Sequence, residues 1–550
     1  MAGRNGANSG LIGLALGLTL MSGTAALAQD THDSSHAPVV PAAESTKDAH
    51  RHDDLLTPRS PQLLPGYGNG GFAVRTANPQ AAAFFANGLE LHAAFAHRAG
   101  VAAMEQAVRL DPACGMCQWG LALVDGPTIN YGKQPDARAK LLLGARAARS
   151  TVAAGGTARE RALTEALVLR YQPGKDTAKL DRAYAVAMQG VAARFPEDNE
   201  IAVLTADALM VASFAEEDGY DHKLMDQAVV LLEQALARAP NHTPSIHFYI
   251  HATEVIGKPA LAEAYADRLA DLAPRASHLV HMPSHTYYWV GRYQDAAETN
   301  HRAVQIGKDN AKALGLPAPK GVWDLPYHAH NVIFGLGGAL MAGDSRIGLD
   351  LARPLVESAS QRDKGEPWWE LLAASGLFAM ARFDPAATLE LPEPKLPYLK
   401  AAWHYARGES QVWAGDLAAA RREMEAIPAR IATGKPDKEA IAAEQMLGIT
   451  RAVLTGRIAM AEQRWADAAA AFREGAVLEE TESFSDFTDP PAFWYPVRRD
   501  LAAALLAAGD AAGAQREAEA ALALRKHDPV ALRTLAAARA RLALDSPLLR

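Results

Sequence analysis

The sequence predicts an all-α protein, a solenoid of stacked helix pairs, on two observations. An apolar helix, a tight turn with Gly or a small polar residue, and a second helix rich in Ala recur along the chain. The clearest copy is HTYYWVGRYQDAAETNHRAVQI, where Val290-Gly291-Arg292-Tyr293 makes the turn and Ala296, Ala297 and Ala303 are small packing positions. Prolines at 112, 240, 274 and 529 stand where such units end, because proline stops one helix and is accepted at the start of the next. With 550 residues, 49% of them apolar, the chain can bury a core throughout, and an array of short units explains that length better than one globule does.

From the N-terminus, Arg4 supplies a positive start, LIGLALGLTLM an apolar centre and Ala26-Leu27-Ala28 a small-residue cleavage site, so residues 1–28 read as a secretory signal peptide. No later stretch has the roughly 18 consecutive apolar residues of a membrane span, and the mature chain is expected to be periplasmic or secreted, without an integral membrane segment. Residues 29–77 form a linker: the part to about 66 is rich in Pro, Ser, Asp and His, lacks any helical or strand period, and reads as disordered.

The repeats follow as a front array over 78–381 and a rear array over 382–550, separated by the Pro-rich stretch that opens with Phe383-Asp384-Pro385. The first helices of such pairs are expected to line a concave face. The unit resembles a tetratricopeptide repeat (TPR), with irregular spacing. A net charge of -8 and the absence of long basic runs argue against nucleic acid as a partner. The two cysteines, Cys114 and Cys117, sit three apart in DPACGMCQWG, where a disulfide is the first reading and a shared metal the second; Gln118 stands where haem attachment needs histidine.

Four stretches concentrate histidine on what read as first helices: HAAFAH, HFYIHATE, HLVHMPSH and YHAHN. A repeat does not need them to fold. In HFYIHATE, His247, His251 and Glu254 are spaced i, i+4 and i+7, so a helix sets all three on one face and the carboxylate can complete or orient a metal set. His278, His281 and His285 lead into the next unit, with Pro283 suited to an early helical position. His328 and His330 cannot both face one point on a helix, and His330 is preferred. The bland alternative is a set of histidines packed separately in helical grooves.

At these residues the chain resembles a family of exported bacterial TPR proteins, through FAHRAGVAAMEQAVRLDPACGMCQWGLALVDGPTIN, HFYIHATE, HLVHMPSHTYYWVGRYQDAAETN, YHAHN, LPYLKAAWHYARG and DPPAFWYPVRRDLAAALL. The resemblance runs from about residue 80 to the C-terminus and implies no established reaction. It favours His251, His281, His285 and His330. His97 falls at a family turn but is preceded by Ala96 in place of the usual Asn, and Ala99 stands where an acidic residue is common. The match also implies a functional surface at Gly126, Pro127 and Asn130. In the rear array Trp403, His404 and Arg407, with Asp489, Trp494, Tyr495 and Arg498, offer aromatics and arginines for an anionic or aromatic ligand, against an even alternative of packing between repeats.

Together these residues predict a scaffold whose concave face binds a peptide, a protein or a small molecule, with a transition-metal site built on His251, His281, His285 and His330, and extended by His247, His97 and Glu254. Zn, Cu and Fe all suit imidazole. The alternative is a metal-dependent hydrolase or oxidoreductase on the same histidines. Metal trafficking, suggested by the His-containing tail and Met282, has the least sulfur to support it.

Overall fold

The computed structural model describes residues 61–214, 219–318, 320–325, 327–434, 438–485 and 491–544. The expected signal peptide and most of the linker lie outside the described residues. The chain runs through α1 (Pro79–Ala93), α2 (His97–Leu110), α3 (Gly115–Val124), α4 (Pro135–Ala153), α5 (Ala158–Arg170), α6 (Thr177–Arg194), α7 (Asn199–Ser213), α8 (His222–Arg238) and α9 (Thr243–Val255). It continues as α10 (Glu263–Leu272), α11 (Ser277–His281), α12 (Pro283–Val290), α13 (Tyr293–Ala313), α14 (His328–Ala342), α15 (Ser345–Ser360) and α16 (Pro367–Phe383). The last stretch holds α17 (Pro385–Leu389), α18 (Pro397–Ala414), α19 (Leu417–Ala426), α20 (Lys438–Ala461), α21 (Trp465–Glu479), α22 (Glu482–Ser485), α23 (Arg498–Ala507), α24 (Ala511–Leu524) and α25 (Pro529–Leu544). No strand occurs among the described residues.

Neighbours in sequence pack together, as α1 on α2, α7 on α8 and α20 on α21, and alternate helices also touch, as α1 with α3, α14 with α16 and α23 with α25. Pairs that pack internally and then stack on the next pair make an α-solenoid. Local chemistry sets the ends. Asn78 accepts hydrogen bonds from the first amides of α1, with Pro79 at the first helical position, and Thr157 with Glu160 forms a reciprocal capping box on α5. Pro112, Pro240 and Pro274 fall between helices and Pro529 opens α25, as expected.

Two glycines decide the geometry around the histidines. Gly291 closes α12 at φ +84°, and a Cβ there would meet the Lys526 carbonyl at 2.6 Å. Gly338 on α14 lies so close to α13 that a Cβ would meet the Ala297 amide nitrogen at 2.7 Å and the Tyr293 carbonyl at 2.9 Å. That close approach holds the C-terminal half of α14 against the start of α13.

The apolar interior forms two large clusters, one from Phe85 to Ala296 and one from Tyr288 to Ala504. They meet at α12 and the start of α13. The stretch that follows residue 382 holds a short helix and a loop, and Leu396 there is buried in the second cluster. Residues 61–77 have no helix but are tied down: the Leu64 amide donates to Asn87 Oδ1 (2.8 Å), the Asn69 amide to Thr243 Oγ1 (3.0 Å) and the Gly71 amide to Glu200 Oε1 (2.7 Å). Side-chain acceptors on the helices substitute there for regular backbone pairing.

Candidate metal centre

Six histidines gather where the two apolar clusters meet, in two sets of three: His247, His251 and His278, and His281, His285 and His330. Within each set, one ligand atom per ring lies within 4.8 Å of the others. Helix periodicity brings His247 and His251 together on α9. The other set depends on a break in the chain: Pro283 has no amide hydrogen to continue α11, so α12 starts afresh and His281 and His285 face each other across the join, their Nε2 atoms 2.9 Å apart. His330 arrives on α14 with its Nε2 3.1 Å from that of His281. His278, one turn before His281, turns the other way and puts its Nε2 3.1 Å from that of His247.

Tautomers follow from the partners behind the rings. Asn300 on α13 donates through Nδ2 to the Ala296 carbonyl (2.8 Å), so its Oδ1 faces His281 and accepts the Nδ1 proton at 2.6 Å. His285 Nδ1 donates to Glu254 Oε2 (2.7 Å), whose other oxygen accepts from Trp289 Nε1 (2.8 Å). His247 Nδ1 donates to the Ala93 carbonyl at 2.6 Å. A neutral imidazole protonated at Nδ1 has a bare lone pair at Nε2. The Nε2 atoms of His281 and His285 therefore face each other at a distance that a shared proton or a cation between them can bridge. Two nitrogens bound tetrahedrally to one ion at about 2.0–2.1 Å lie roughly 3.3 Å apart, close to the spacing here.

Burial favours the neutral form in five of the six rings. Burial pushes His247 and His330 down to about 3, aided in both by the neighbouring His285. Burial also holds His251, His278 and His281 well below the usual imidazole value, with mutual repulsion among the rings adding to it. Phe334 packs at 4.5 Å from His285 and 4.9 Å from His281, and Phe95 at 4.4 Å from His247 and 4.9 Å from His278 (ring centroids). Phe95 and Tyr327 both hold positive φ, 54° and 64°, a conformation that costs a non-glycine residue about 1–3 kcal/mol and recurs at functional sites.

Not every expected ligand joins. Glu254 stands behind His285 as an orienting acceptor because its carboxylate reaches past its own helix to α12. His97 lies outside both triads, stacked on Phe95 at 5.1 Å; both its ring nitrogens are buried and find no hydrogen-bond partner among the described residues. His328 turns to Trp323 (4.9 Å), leaving His330 for the cluster. Asn130 donates to the Tyr327 hydroxyl (3.0 Å), and the Tyr327 ring lies 4.4 Å from His278, so the loop after α3 borders the site. His278 had been noted in its motif without being chosen. Asn300 was missed; the available signal was a polar residue on the buried stripe between Ala296 and Ala303.

Cys114 and Cys117 are joined as a disulfide, so their sulfurs are not metal ligands. The rear residues are occupied within the protein. His404 and Arg407 both bind Glu423 (2.7 and 2.8 Å), and Trp403 Nε1 donates to the Leu391 carbonyl (3.0 Å). Trp494 and Tyr495 are buried with Arg499 against both rings, whereas Arg498 pairs separately with Glu480 and Glu517. Asp489 lies outside the described residues.

The partners of the inner nitrogens give a testable effect. Replacing an acceptor that orients a metal-bound imidazole lowers affinity about 10–100-fold. Asn300→Ala is expected to do so in a competition titration with a chromophoric chelator, and an unchanged affinity would rule out the orienting role.

No family model and no curated protein matches the chain. Solved structures align along most of it at low similarity. Human IFIT1 with m7Gppp-AAAA is 12% identical, with 91% of this chain and 96% of that one covered and a TM-score of 0.31. Yeast Tom70 is 11% identical over 85% and 90%, with a TM-score of 0.26. The TPR domain of P58(IPK) is 11% identical over 85% and 99%, with a TM-score of 0.20. Similarity at that level lends this chain no function. The succession of helix pairs makes it an all-α, TPR-like solenoid.

Proposed function

We propose that this solenoid is an exported protein that holds a pair of transition-metal ions in its two histidine triads and binds a small ligand at them. The observation that carries the reading is the convergence of six imidazoles in two triads, with the Nε2 atoms of His285 and His330 2.9 and 3.1 Å from that of His281. Three protein donors per ion, rather than four, leave a coordination position for water or an external ligand. That favours a site that exchanges ligands over a purely structural one, and makes the metal-dependent hydrolase or oxidoreductase the second reading. A peptide or protein on the surface of the first helices is compatible with both. Metal trafficking gains nothing from sulfur, because Met282 is buried in the apolar core and belongs to neither triad.

Elemental analysis of untagged protein, before and after chelation, tests the reading. Two ions per chain are expected; no stoichiometric metal would overturn it. Export rests on residues 1–28, and mass spectrometry of the exported protein is expected to find an N-terminus near Gln29. An intact Met1 on exported material would refute that part.

A further inference from the structure

We infer that the ions are copper and that the external ligand of the pair is dioxygen, an inference that rests on the metal-pair reading above. The first support is the closeness of the triads. Ring centroids across them are 5.5 Å apart for His251 and His285 and 5.6 Å for His278 and His281, inside the range of 4.6 to 6.2 Å found within the triads. The six rings thus form one cage. Two-metal sites that act on a single small molecule hold their ions about 3.5–4 Å apart, and a cage this continuous can bring two ions to one ligand.

The donor set supports copper. All six donors are imidazoles, with neither carboxylate nor thiolate among them. Iron and manganese pairs in helical proteins are built with several glutamates, whereas imidazole donors suit both copper and zinc. Charge then separates the two. Two zinc ions would bring four positive charges into a buried cage, where Glu254 behind His285 supplies one negative charge, and uncompensated buried charge is costly. Two cuprous ions bring half as much.

Dioxygen fits that balance. It enters neutral and takes one electron from each cuprous ion; its O–O bond remains while it is reduced by two electrons. Two cupric ions and one dianion result, with the same net charge as the two cuprous ions at the start. No proton or further reductant is needed for this step, and the fixed charge around the cage need not change. The walls suit the ligand as well, since Phe95 and Phe334 present apolar rings to both triads and favour a small neutral molecule over a hydrated anion.

The test uses the full folded protein, stripped of metal and loaded without air with two equivalents of a cuprous acetonitrile salt. Admission of dioxygen is expected to consume one molecule per two coppers, to produce an intense charge-transfer absorption, and to leave the cupric pair silent in electron paramagnetic resonance through coupling. Two bound coppers with no oxygen uptake, or with signals of isolated cupric ions, would overturn the dioxygen inference and leave the metal-pair reading intact. Retention of zinc with no retention of copper would do the same. Retention of neither metal would overturn both. His330→Ala in one triad and His247→Ala in the other are each expected to keep one copper and lose the one-to-two uptake; wild-type uptake by either folded variant would also overturn the inference.

Discussion

Replacing His251 and His285 together with alanine is expected to take the protein from two bound ions per chain to none at stoichiometric level. The pair removes one donor from each triad and leaves two imidazoles at each position. Loss of a direct ligand costs more than the roughly 10–100-fold attached to an orienting partner, so micromolar chelator should then strip both ions. Each substitution changes one residue in a separate helix, α9 or α12, and far-ultraviolet circular dichroism is expected to change little. The stabilisation that metal gives by binding only the folded state, about 2.7 kcal/mol at a hundredfold excess over Kd, should vanish from the melting curve. Unaltered metal content in the folded double variant would defeat the assignment of these residues.

Metal-free protein is expected to lose stability steeply as the pH falls below about 6.5. Histidine in the unfolded chain titrates near 6.5, whereas His247 and His330 are held down to about 3 in the fold by burial. Between those values the unfolded state carries the proton and the folded state does not. Their contribution is therefore complete above about 6.5 and drains away toward about 3, at roughly 1.4 kcal/mol per pH unit for each group. His251, His278 and His281 shift in the same direction. Against a typical total of about 5–15 kcal/mol, two such groups alone put unfolding within reach above pH 4. Urea midpoints at pH 7, 6 and 5 measure it; a flat profile would mean that the imidazoles are hydrated or paired in solution. Bound metal, which needs neutral rings, should move the loss to lower pH.

Much of this site was readable because it is local. The i, i+4 spacing of His247 and His251, and of His281 and His285, is a property of one helix or of two joined at Pro283, and each pair stays within one triad. Glu254 was readable as a neighbour of the set but not as an acceptor for a histidine 31 residues on, since that depends on how α12 crosses α9. The division into two triads depends on the same crossing. His278 follows the helix start that precedes His281, yet its ring goes back to α9, and no spacing rule gives that direction. In the rear array, Trp403, His404 and Arg407 have the residue types of a ligand site, but Glu423 from the next helix satisfies both charged groups. Partners from the next unit decided these cases.

In a stack of helix pairs each unit is held only by its neighbours, so its mechanical resistance is that of a row of similar weak joints. The histidine cage departs from that rule. Its rings come from α9, α11, α12 and α14, and it sits where the two apolar clusters meet. Metal bound there is a rivet through the middle of the row. Pulled from its ends, the loaded chain would shed its outer pairs in small steps and keep its centre to the last, and removing the metal would turn the strongest joint in the row into an ordinary one.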